Sequence, residues 1–314
     1  MFNSFALGHC LNEEIKLCKK RTAVEQKYQT QKVDQRIRNP IRYKEYKMIN
    51  WKIFVLILLT FHMNILLAQE IPLDDNPRIF DDQYKGCRQK MAKIIPGILQ
   101  SEMQSNQGFK YSWEYATNRW KAIKPQMKLP KYFKNEYGIA VIAYTGNMYS
   151  AFNKATRDVG TSIQNYKNVF RFKAMHYYLT MAMDLLGNKS KAKLVYRGVN
   201  NIRFVPSNSS NGVIRFGQFT SSSEDLAVAK GFGTTSFFKI QTRYGINIMK
   251  FSMFPNEKEV LIPGYELFKV ASFKKVTHEF TLISKGKTKS RFNCAYFKAQ
   301  MDERLYNLTL PMPQ

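Results

Sequence analysis

Two glutamates separated by one residue, Glu257 and Glu259, are the side chains of this sequence that most suggest a chemical site. An apolar run rich in β-branched residues, Val260-Leu261-Ile262, follows them and is typical of a strand. Since side chains alternate between the faces of a strand, both carboxylates are expected on one face. Carboxylates held side by side repel each other, so such a site usually handles positive charge. A Glu-x-Glu pair taken alone is more often a solvated strand end.

An arginine and a run of hydroxyl groups precede the glutamates. Arg197 ends a predicted strand and is followed by Gly198, which permits a close approach of another backbone. The hydroxyl run, Thr220 to Ser223, ends a second predicted strand. A strand-end arginine is usually a surface charge, and Ser223 could simply cap a helix. The order and spacing of the three segments together nevertheless favour one shared site.

The elements that must position these segments change in type near residue 190. Before it, apolar residues recur at steps of three and four, most clearly from Phe170 to Leu185, and Gly187 can end that helix. After it, short β-branched and aromatic runs alternate with polar turns, and helices followed by strands predict an α+β fold. The predicted strands are Leu194–Val199, Val213–Phe219, Ser236–Thr242, Ile246–Phe254, Glu257–Ile262, Phe268–Val276, Glu279–Ser284 and Phe292–Lys298.

The composition fits a globular protein with a basic surface. The chain has 314 residues, 44% of them hydrophobic, and a net charge of +26. Its Lys and Arg residues are spread along the chain, and no nucleic-acid-binding motif occurs, so we predict anionic ligands or surfaces as partners and no nucleic acid. The sequence contains no glycine-rich phosphate loop and no metal-ligand spacing, and His176 is expected to pack in a helix.

Residues 48–68 have the layout of a secretory signal. A basic start is followed by an apolar run, 53–68, that is shorter than the ~20 residues needed to span a bilayer. We predict a basic upstream segment at 1–47, absent from the mature protein if Met48 is the true start, a signal peptide at 48–68 and one domain at 69–314. The expected location is extracellular. The alternative is an uncleaved signal anchor that keeps the protein on a membrane.

Export also bears on the cysteines. Cys10 and Cys18 lie in the upstream segment, which leaves Cys87 and Cys294 for the mature chain. In an oxidising compartment these two are expected to form a disulfide, and two buried free thiols are the alternative. Three glycosylation sequons, which agree with export, begin at Asn188, Asn208 and Asn307.

The three segments resemble the landmarks of the secreted and cell-surface arginine-specific mono-ADP-ribosyltransferases. The family has a Tyr-Arg-Gly strand, a Phe-Thr-Ser-x-Ser strand and a Glu-x-Glu strand leading into Val-Leu-Ile-Pro, found here at 196–198, 219–223 and 257–263. The likeness runs from about Ile79 to Lys298. It implies a helical N-terminal part packed on two mostly antiparallel β-sheets, with an NAD cleft between them.

The resemblance also assigns roles to the residues. It implies that Glu259 stabilises an oxocarbenium-like ribose, that Ser221 orients Glu259 and the ribose, and that Arg197 holds the ribose and the pyrophosphate. Gly198 would contact the nicotinamide carboxamide through its backbone, and Glu257 would receive the guanidinium of an acceptor arginine. The family likeness less directly adds three residues to the cofactor site, namely Tyr144, Gln218 and Ser252.

Phe237 is a candidate from the strand pattern itself. In Ser236–Thr242 it shares a face with Lys239 and Gln241, opposite the apolar face, so it could stack on nicotinamide. A partly exposed surface phenylalanine is an equally good explanation.

The resemblance therefore implies an enzyme that transfers ADP-ribose from NAD to arginine side chains of proteins and releases nicotinamide. NAD is the co-substrate, no metal is expected, and the partners are NAD and an arginine-bearing protein, with the enzyme a monomer. NAD glycohydrolase activity is one alternative, and Glu257 argues against it because hydrolysis needs no acceptor carboxylate. A catalytically inactive, basic binding module is another alternative, which intact Arg197, Ser221 and Glu259 disfavour.

Overall fold

The computed structural model describes residues 68–76, 79–158, 161–187, 191–207 and 212–298, together with Trp51 and Ile53. Its contacts divide the chain into two compact units, Met1–Leu67 and Ala68–Gln314. The predicted upstream segment and most of the predicted signal therefore lie outside the described residues. Within the described residues, no helix is long and apolar enough to cross a membrane.

Helices occupy the first half of the second unit, as the periodicity predicts. The helix predicted from Phe170 to Leu185 is confirmed but begins later, at Lys173, and the N–H of Gly187 donates to the carbonyl of Met183 at 3.0 Å. A π-helical turn, Tyr144–Met148, joins two of the helices, and Gly146 within it leaves the helical region with ψ −141°. The helices are α1 (Arg88–Ser105), α2 (Gln107–Ile123), α3 (Asn135–Ala143), α4 (Tyr149–Asp158), α5 (Ile163–Asn168) and α6 (Lys173–Leu186).

Apart from one short strand before the helices, the strands occupy the second half, which confirms the α+β class. They are β1 (Gln69–Leu73), β2 (Lys193–Val199), β3 (Ile202–Pro206), β4 (Val213–Ile214), β5 (Thr220–Ser223), β6 (Ser236–Thr242), β7 (Ile246–Asn247), β8 (Glu259–Ile262), β9 (Glu266–Lys274) and β10 (Glu279–Thr288), with helix α7 (Leu226–Gly231) after β5. In the described part of the chain, eight strands form one mixed sheet in the order β4-β9-β10-β6-β2-β5-β8-β7, and β1 pairs with β3 in parallel. Strands β6 and β10 are parallel neighbours, and the other neighbours in the large sheet are antiparallel.

The large sheet narrows between β2 and β5. The register between these strands contains a single pair, Tyr196 opposite Ser223. On one side of this junction lies β4-β9-β10-β6-β2, and on the other lies β5-β8-β7. The two antiparallel layers implied by the family resemblance thus occur as two halves of one hydrogen-bonded sheet, and the candidate residues lie where the halves meet.

Strand β8 is buried on both faces, which explains its unbroken apolar sequence. Leu261 belongs to the larger core, which also contains the buried apolar side chains of the helices. Val260 and Ile262 belong to a second core that also contains Phe238 and Ile240 of β6. The strand that carries Glu259 is therefore fixed from both sides.

Four predicted strands depart clearly from the structure, one of them Glu257–Ile262, which begins only at Glu259. Residues 292–298 form no strand, because carboxylates take the backbone N–H groups there: Arg291 and Phe292 donate to Asp81, while Cys294 and Ala295 donate to Asp82, at 2.8 to 3.0 Å. The strand predicted from Val213 to Phe219 ends at Ile214, and Gly217 in the irregular segment that follows has φ +74°. The one predicted from Ile246 to Phe254 ends at Asn247, because Phe251 and Ser252 both turn back to donate to the carbonyl of Ile248.

The predicted disulfide joins Cys87 to Cys294 and is confirmed. Their Cα atoms are 6.0 Å apart across a sequence separation of 207 residues. Beside the disulfide, the buried guanidinium of Arg215 forms an ion pair with the buried carboxylate of Asp81. The beginning and the end of the described domain are held together by this disulfide, by the hydrogen bonds to Asp81 and Asp82, and by an ion pair between Lys289 and Asp75.

Candidate active site

Glu259 is the first residue of β8 and is nearly buried, with 6% of its surface exposed. It lies opposite Ser223 of β5. The strand begins here rather than at Glu257, because Pro255–Glu257 forms a 3-10 turn and Lys258 adopts a left-handed conformation with φ 48°. The expectation that both glutamates lie on one strand is therefore wrong: Glu257 precedes the strand and is carried by the turn.

Ser221 and Arg197 converge on Glu259 from the two neighbouring strands. Ser221 shares a face of β5 with Ser223, and its hydroxyl is close enough to the Glu259 carboxylate to lower the pKa of that group as a hydrogen-bond partner. Arg197, on β2, donates from Nη1 to the carbonyl oxygen of Ser221 at 2.6 Å. The narrow junction between β2 and β5 thus brings together the arginine, the serine and the glutamate.

The carboxyl group of Glu259 has a pKa well above that of a solvated glutamate. Burial raises its pKa to about 7, and the negative charge of Glu257 also raises it, whereas the Ser221 hydrogen bond and the charge of Arg197 act in the opposite direction. Burial lowers the pKa of the Arg197 guanidinium, whereas the neighbouring groups Tyr144, Glu259 and Tyr149 act in the opposite direction, and of these only Glu259 is charged near pH 7. An ionised Glu259 in this setting is a partly desolvated anion that would interact strongly with a cationic ligand.

Glu257 lies beside this group and is half-buried, and burial raises the pKa of its carboxyl. The turn that carries it is fixed by its backbone. Ser223 donates from Oγ to the carbonyl of Glu257 at 2.7 Å, and Lys258 forms an ion pair with Asp225 at 2.9 Å. Asp225 in turn caps helix α7 by accepting from the N–H of Ala227 at 2.9 Å. The second carboxylate is thereby held next to the first without sharing its strand.

The sequence that forms this site matches a known family, the one described as NAD:arginine ADP-ribosyltransferase, over residues 73–290. The chain belongs to this family. Ecto-ADP-ribosyltransferase 5 of Bos taurus is 41% identical over 230 residues, which cover 70% of this chain and 72% of the relative. T-cell ecto-ADP-ribosyltransferase 2 of Mus musculus is 41% identical over 236 residues, which cover 73% of this chain and 79% of the relative.

A solved structure agrees with this assignment. A crystal structure of a mutant of the eukaryotic mono-ADP-ribosyltransferase ART2.2 in complex with NADH matches with a TM-score of 0.66 and 40% identity, covering 72% of this chain and 99% of that chain. The expected family and its α+β architecture are therefore confirmed. Among the residues that the structure of this family member describes, no group of His, Cys, Asp and Glu side chains could hold a metal ion.

Two residues expected at the cofactor, Gly198 and Phe237, face each other across β2 and β6 of this ADP-ribosyltransferase. A Cβ atom at Gly198 would lie 2.1 Å from the carbonyl oxygen of Ala229 and 2.2 Å from that of Gly233, so the segment around α7 requires a glycine here. Phe237 is half-buried and stacks on Tyr196, with ring centroids 6.4 Å apart. Their contacts with nicotinamide remain predictions.

Gln218 and Ser252 hold loops beside the ADP-ribosyltransferase site. The Oε1 atom of Gln218 accepts a hydrogen bond from Arg157 at the end of α4. Ser252 is buried, and its Oγ accepts from the N–H of Phe254 at 3.0 Å, which closes the turn that leads to Glu257. Both side chains already have protein partners, and their contact with NAD also remains a prediction.

Tyr144 is buried behind Ser221 rather than open at the surface. Its exposed fraction is 1%, and its hydroxyl donates to the carbonyl of Phe219 at 3.0 Å. Sequence reasoning missed two residues near it. Asn153 donates from Nδ2 to the Tyr144 hydroxyl at 3.2 Å, and Tyr149, which is 53% exposed, is near enough to Arg197 to affect its pKa. The one sequence signal for this region is Gly146, a glycine between two helical patterns.

Proposed function

We propose that this chain transfers ADP-ribose from NAD to arginine side chains of an extracellular protein and releases nicotinamide. The observation that carries the proposal is the convergence of Arg197, Ser221 and the buried Glu259 at one sheet junction in a member of the NAD:arginine ADP-ribosyltransferase family. Relatives named as ADP-ribosyltransferases, and ART2.2 mutants crystallised with NADH or NAD, support NAD as the co-substrate.

The bond to be broken joins nicotinamide to the ribose of NAD. Nicotinamide is cationic in NAD and leaves as a neutral ring, so the leaving group needs no general acid. The difficult state is the oxocarbenium-like ribose, which a nearby negative charge stabilises. Glu259 is the group assigned to this role, and it must be ionised to perform it. A pKa of about 7 in the free protein means that the positive charge of bound NAD would favour the ionised form.

Arg197 and Ser221 would position the substrate and the carboxylate. The guanidinium of Arg197 suits the ribose oxygens and the pyrophosphate because its planar donors match oxygen anions. Its bond to the Ser221 carbonyl fixes one end of the guanidinium and leaves other N–H groups for a ligand. The hydroxyl of Ser221 holds the carboxylate of Glu259 in one orientation.

Glu257 would receive the acceptor. An arginine side chain stays protonated in solution, so it needs a carboxylate to pair with it and to take its proton as it attacks the ribose. Glu257 is half-buried beside Glu259, and a raised pKa makes it a better base than a fully solvated glutamate. This role is what separates transfer to arginine from simple hydrolysis of NAD.

We also propose an extracellular location, with the enzyme acting as a monomer. The relatives are named ecto-enzymes, and the Cys87–Cys294 disulfide suits an oxidising compartment. The predicted signal at 48–68 would direct the chain there, with the catalytic domain at 69–314.

The experiment is to incubate the purified protein with labelled NAD, with and without agmatine as an arginine analogue. We expect nicotinamide release in both samples and an ADP-ribosylated product when agmatine is present. Nicotinamide release without any product would make the protein a glycohydrolase. No release under either condition would make it an inactive binding module, and both results would refute the proposed transfer.

A further inference from the structure

Two buried polar side chains, Tyr144 and Asn153, lie on the buried side of Ser221, with exposed fractions of 1% and 7%. Tyr144 begins the π-helical turn, and Asn153 lies in α4 beyond it. Because the turn is kinked at Gly146, both side chains reach the same backbone oxygen. The Tyr144 hydroxyl donates to the carbonyl of Phe219 at 3.0 Å, and Asn153 Nδ2 donates to it at 3.1 Å.

These side chains continue directly into the candidate catalytic group. Asn153 Nδ2 also donates to the hydroxyl oxygen of Tyr144 at 3.2 Å. The hydroxyl of Ser221 is close enough to the Tyr144 hydroxyl and to the Glu259 carboxylate to lower the pKa of each as a hydrogen-bond partner. The result is one chain of polar groups, Asn153–Tyr144–Ser221–Glu259, whose members can hydrogen-bond in sequence.

The number of hydrogens in this chain allows two arrangements, because each hydroxyl donates one hydrogen and can rotate. An ionised Glu259 only accepts, so Ser221 must donate to it, and Tyr144 is then free to donate to Ser221. A protonated Glu259 donates to Ser221, which reverses the chain and turns the Tyr144 hydrogen toward the Phe219 carbonyl.

Asn153 supports both arrangements. Its amide nitrogen carries two hydrogens, one directed at Phe219 and one at Tyr144, so the Phe219 carbonyl keeps a donor when the Tyr144 hydroxyl turns away. The Oδ1 atom of Asn153 is buried without a hydrogen-bond partner. Leaving a buried acceptor unpaired is costly, which fits an amide held in place for its two donors.

We propose that Tyr144 and Asn153 are positioning residues that turn the Ser221 hydroxyl toward the ionised carboxylate of Glu259. The proposal rests on the proposed function, and it replaces the expectation that Tyr144 contacts NAD. The other charged groups that face Glu259 are Arg197 on β2 and Glu257 on the preceding turn. They stay in place when the hydroxyl of Tyr144 or the amide of Asn153 is removed.

The test is the Tyr144→Phe variant, which removes the hydroxyl and keeps the ring. Nicotinamide release is measured from pH 5 to 9. We expect kcat to fall on the order of 5- to 10-fold, the worth of one neutral hydrogen bond, with the KM for NAD little changed. Without the Tyr144 hydroxyl, Ser221 stabilises the ionised carboxylate of Glu259 less well, so the pKa of Glu259 should rise. The acid limb of kcat/KM, expected near pH 7, should therefore move up by about half a pH unit.

Tyr166→Phe is the matched control. It makes the same change at a buried tyrosine whose hydroxyl has no hydrogen-bond partner, and we expect the rate and pH profile of the unmodified protein. Asn153→Leu should repeat the effect of Tyr144→Phe, because the tyrosine hydroxyl then stays on the Phe219 carbonyl. The double variant should be no worse than either single one, since both act through one chain.

Other outcomes would overturn the proposal. A raised KM with an unmoved acid limb would mean that Tyr144 contacts NAD directly. An equal loss of activity at every pH, together with a lower melting temperature, would mean that the role of Tyr144 is purely structural. If the losses of the two single variants add up in the double variant, Asn153 and Tyr144 act independently. Carbon-13 NMR of labelled glutamate adds a readout that needs no turnover. If the pKa of Glu259 is the same in Tyr144→Phe, the network is refuted even in a protein that fails the activity assay.

Discussion

Replacing Glu259 by Gln should abolish catalysis and stabilise the fold in the same variant. The amide keeps the shape and can still bond Ser221, but it carries no charge to stabilise an oxocarbenium. Loss of one such electrostatic group typically lowers the rate on the order of 10²- to 10³-fold. Transfer and hydrolysis should fall together, because both pass through the same ribose cation.

The gain in stability follows from the burial of Glu259. Its pKa rises from 4.5 to about 7 on folding, and at 1.36 kcal/mol per pKa unit the ionised carboxylate costs the native state about 3 kcal/mol. The sign depends on pH. Below about pH 4.5 the group is protonated in both states and costs nothing, and the free energy of unfolding then falls until the pH exceeds about 7. A glutamine avoids this loss.

The assay is thermal unfolding of both proteins at pH 5 and pH 8, beside nicotinamide release. We expect Glu259→Gln to melt several degrees above the unmodified protein at pH 8 and close to it at pH 5. Glu257→Gln, the same change at a half-buried position nearby, should shift the melting temperature much less. An inactive Glu259→Gln with no extra stability at pH 8 would show that the carboxylate is already well solvated, and the electrostatic argument would be wrong.

Three further results are expected. Glu257→Gln should lose ADP-ribosylation of agmatine while NAD hydrolysis persists, since an amide cannot take the guanidinium proton; a parallel fall of both rates would move Glu257 into the cofactor chemistry. The secreted protein should begin near Gln69, and its intact mass should show Cys87 and Cys294 joined, with about 2–4 kcal/mol of stability lost on reduction; two alkylatable thiols before reduction would contradict this. Gly198→Ala should destabilise the domain by about 2 kcal/mol or more in urea unfolding, because its Cβ would meet two carbonyl oxygens; unchanged unfolding would show that the segment around α7 moves freely.

The fold could be predicted from sequence where local pattern decides structure. Strand β6 has the bounds that its alternation predicts, with Phe238 and Ile240 buried and Lys239 exposed. The three motifs also predicted which strands carry Arg197, Ser221 and Glu259, because each motif contains part of the strand that positions its residue.

The failures have two physical causes, which are local turns, as after Ile248 and before Glu259, and a distant partner that takes over the backbone. The run from Phe292 to Lys298 has strand composition, but Asp81 and Asp82 accept its N–H groups from more than 200 residues away. No local signal reports that competition. Asn153 was missed for the same reason, since its role depends on the carbonyl of Phe219 in another element.

The two aspartates also constrain the order in which the chain can fold as it is made. Asp81 and Asp82 are buried, and Cys87 follows closely, yet their partners at residues 291–295 are synthesised near the end. Until then Asp81 has the guanidinium of Arg215, but Asp82 lacks the N–H groups of Cys294 and Ala295, so its burial carries a large penalty, and one thiol is unpaired. Folding is therefore expected to finish only after translation of the whole domain, which makes every truncation before Ala295 a substrate for chaperones and proteases rather than a smaller enzyme.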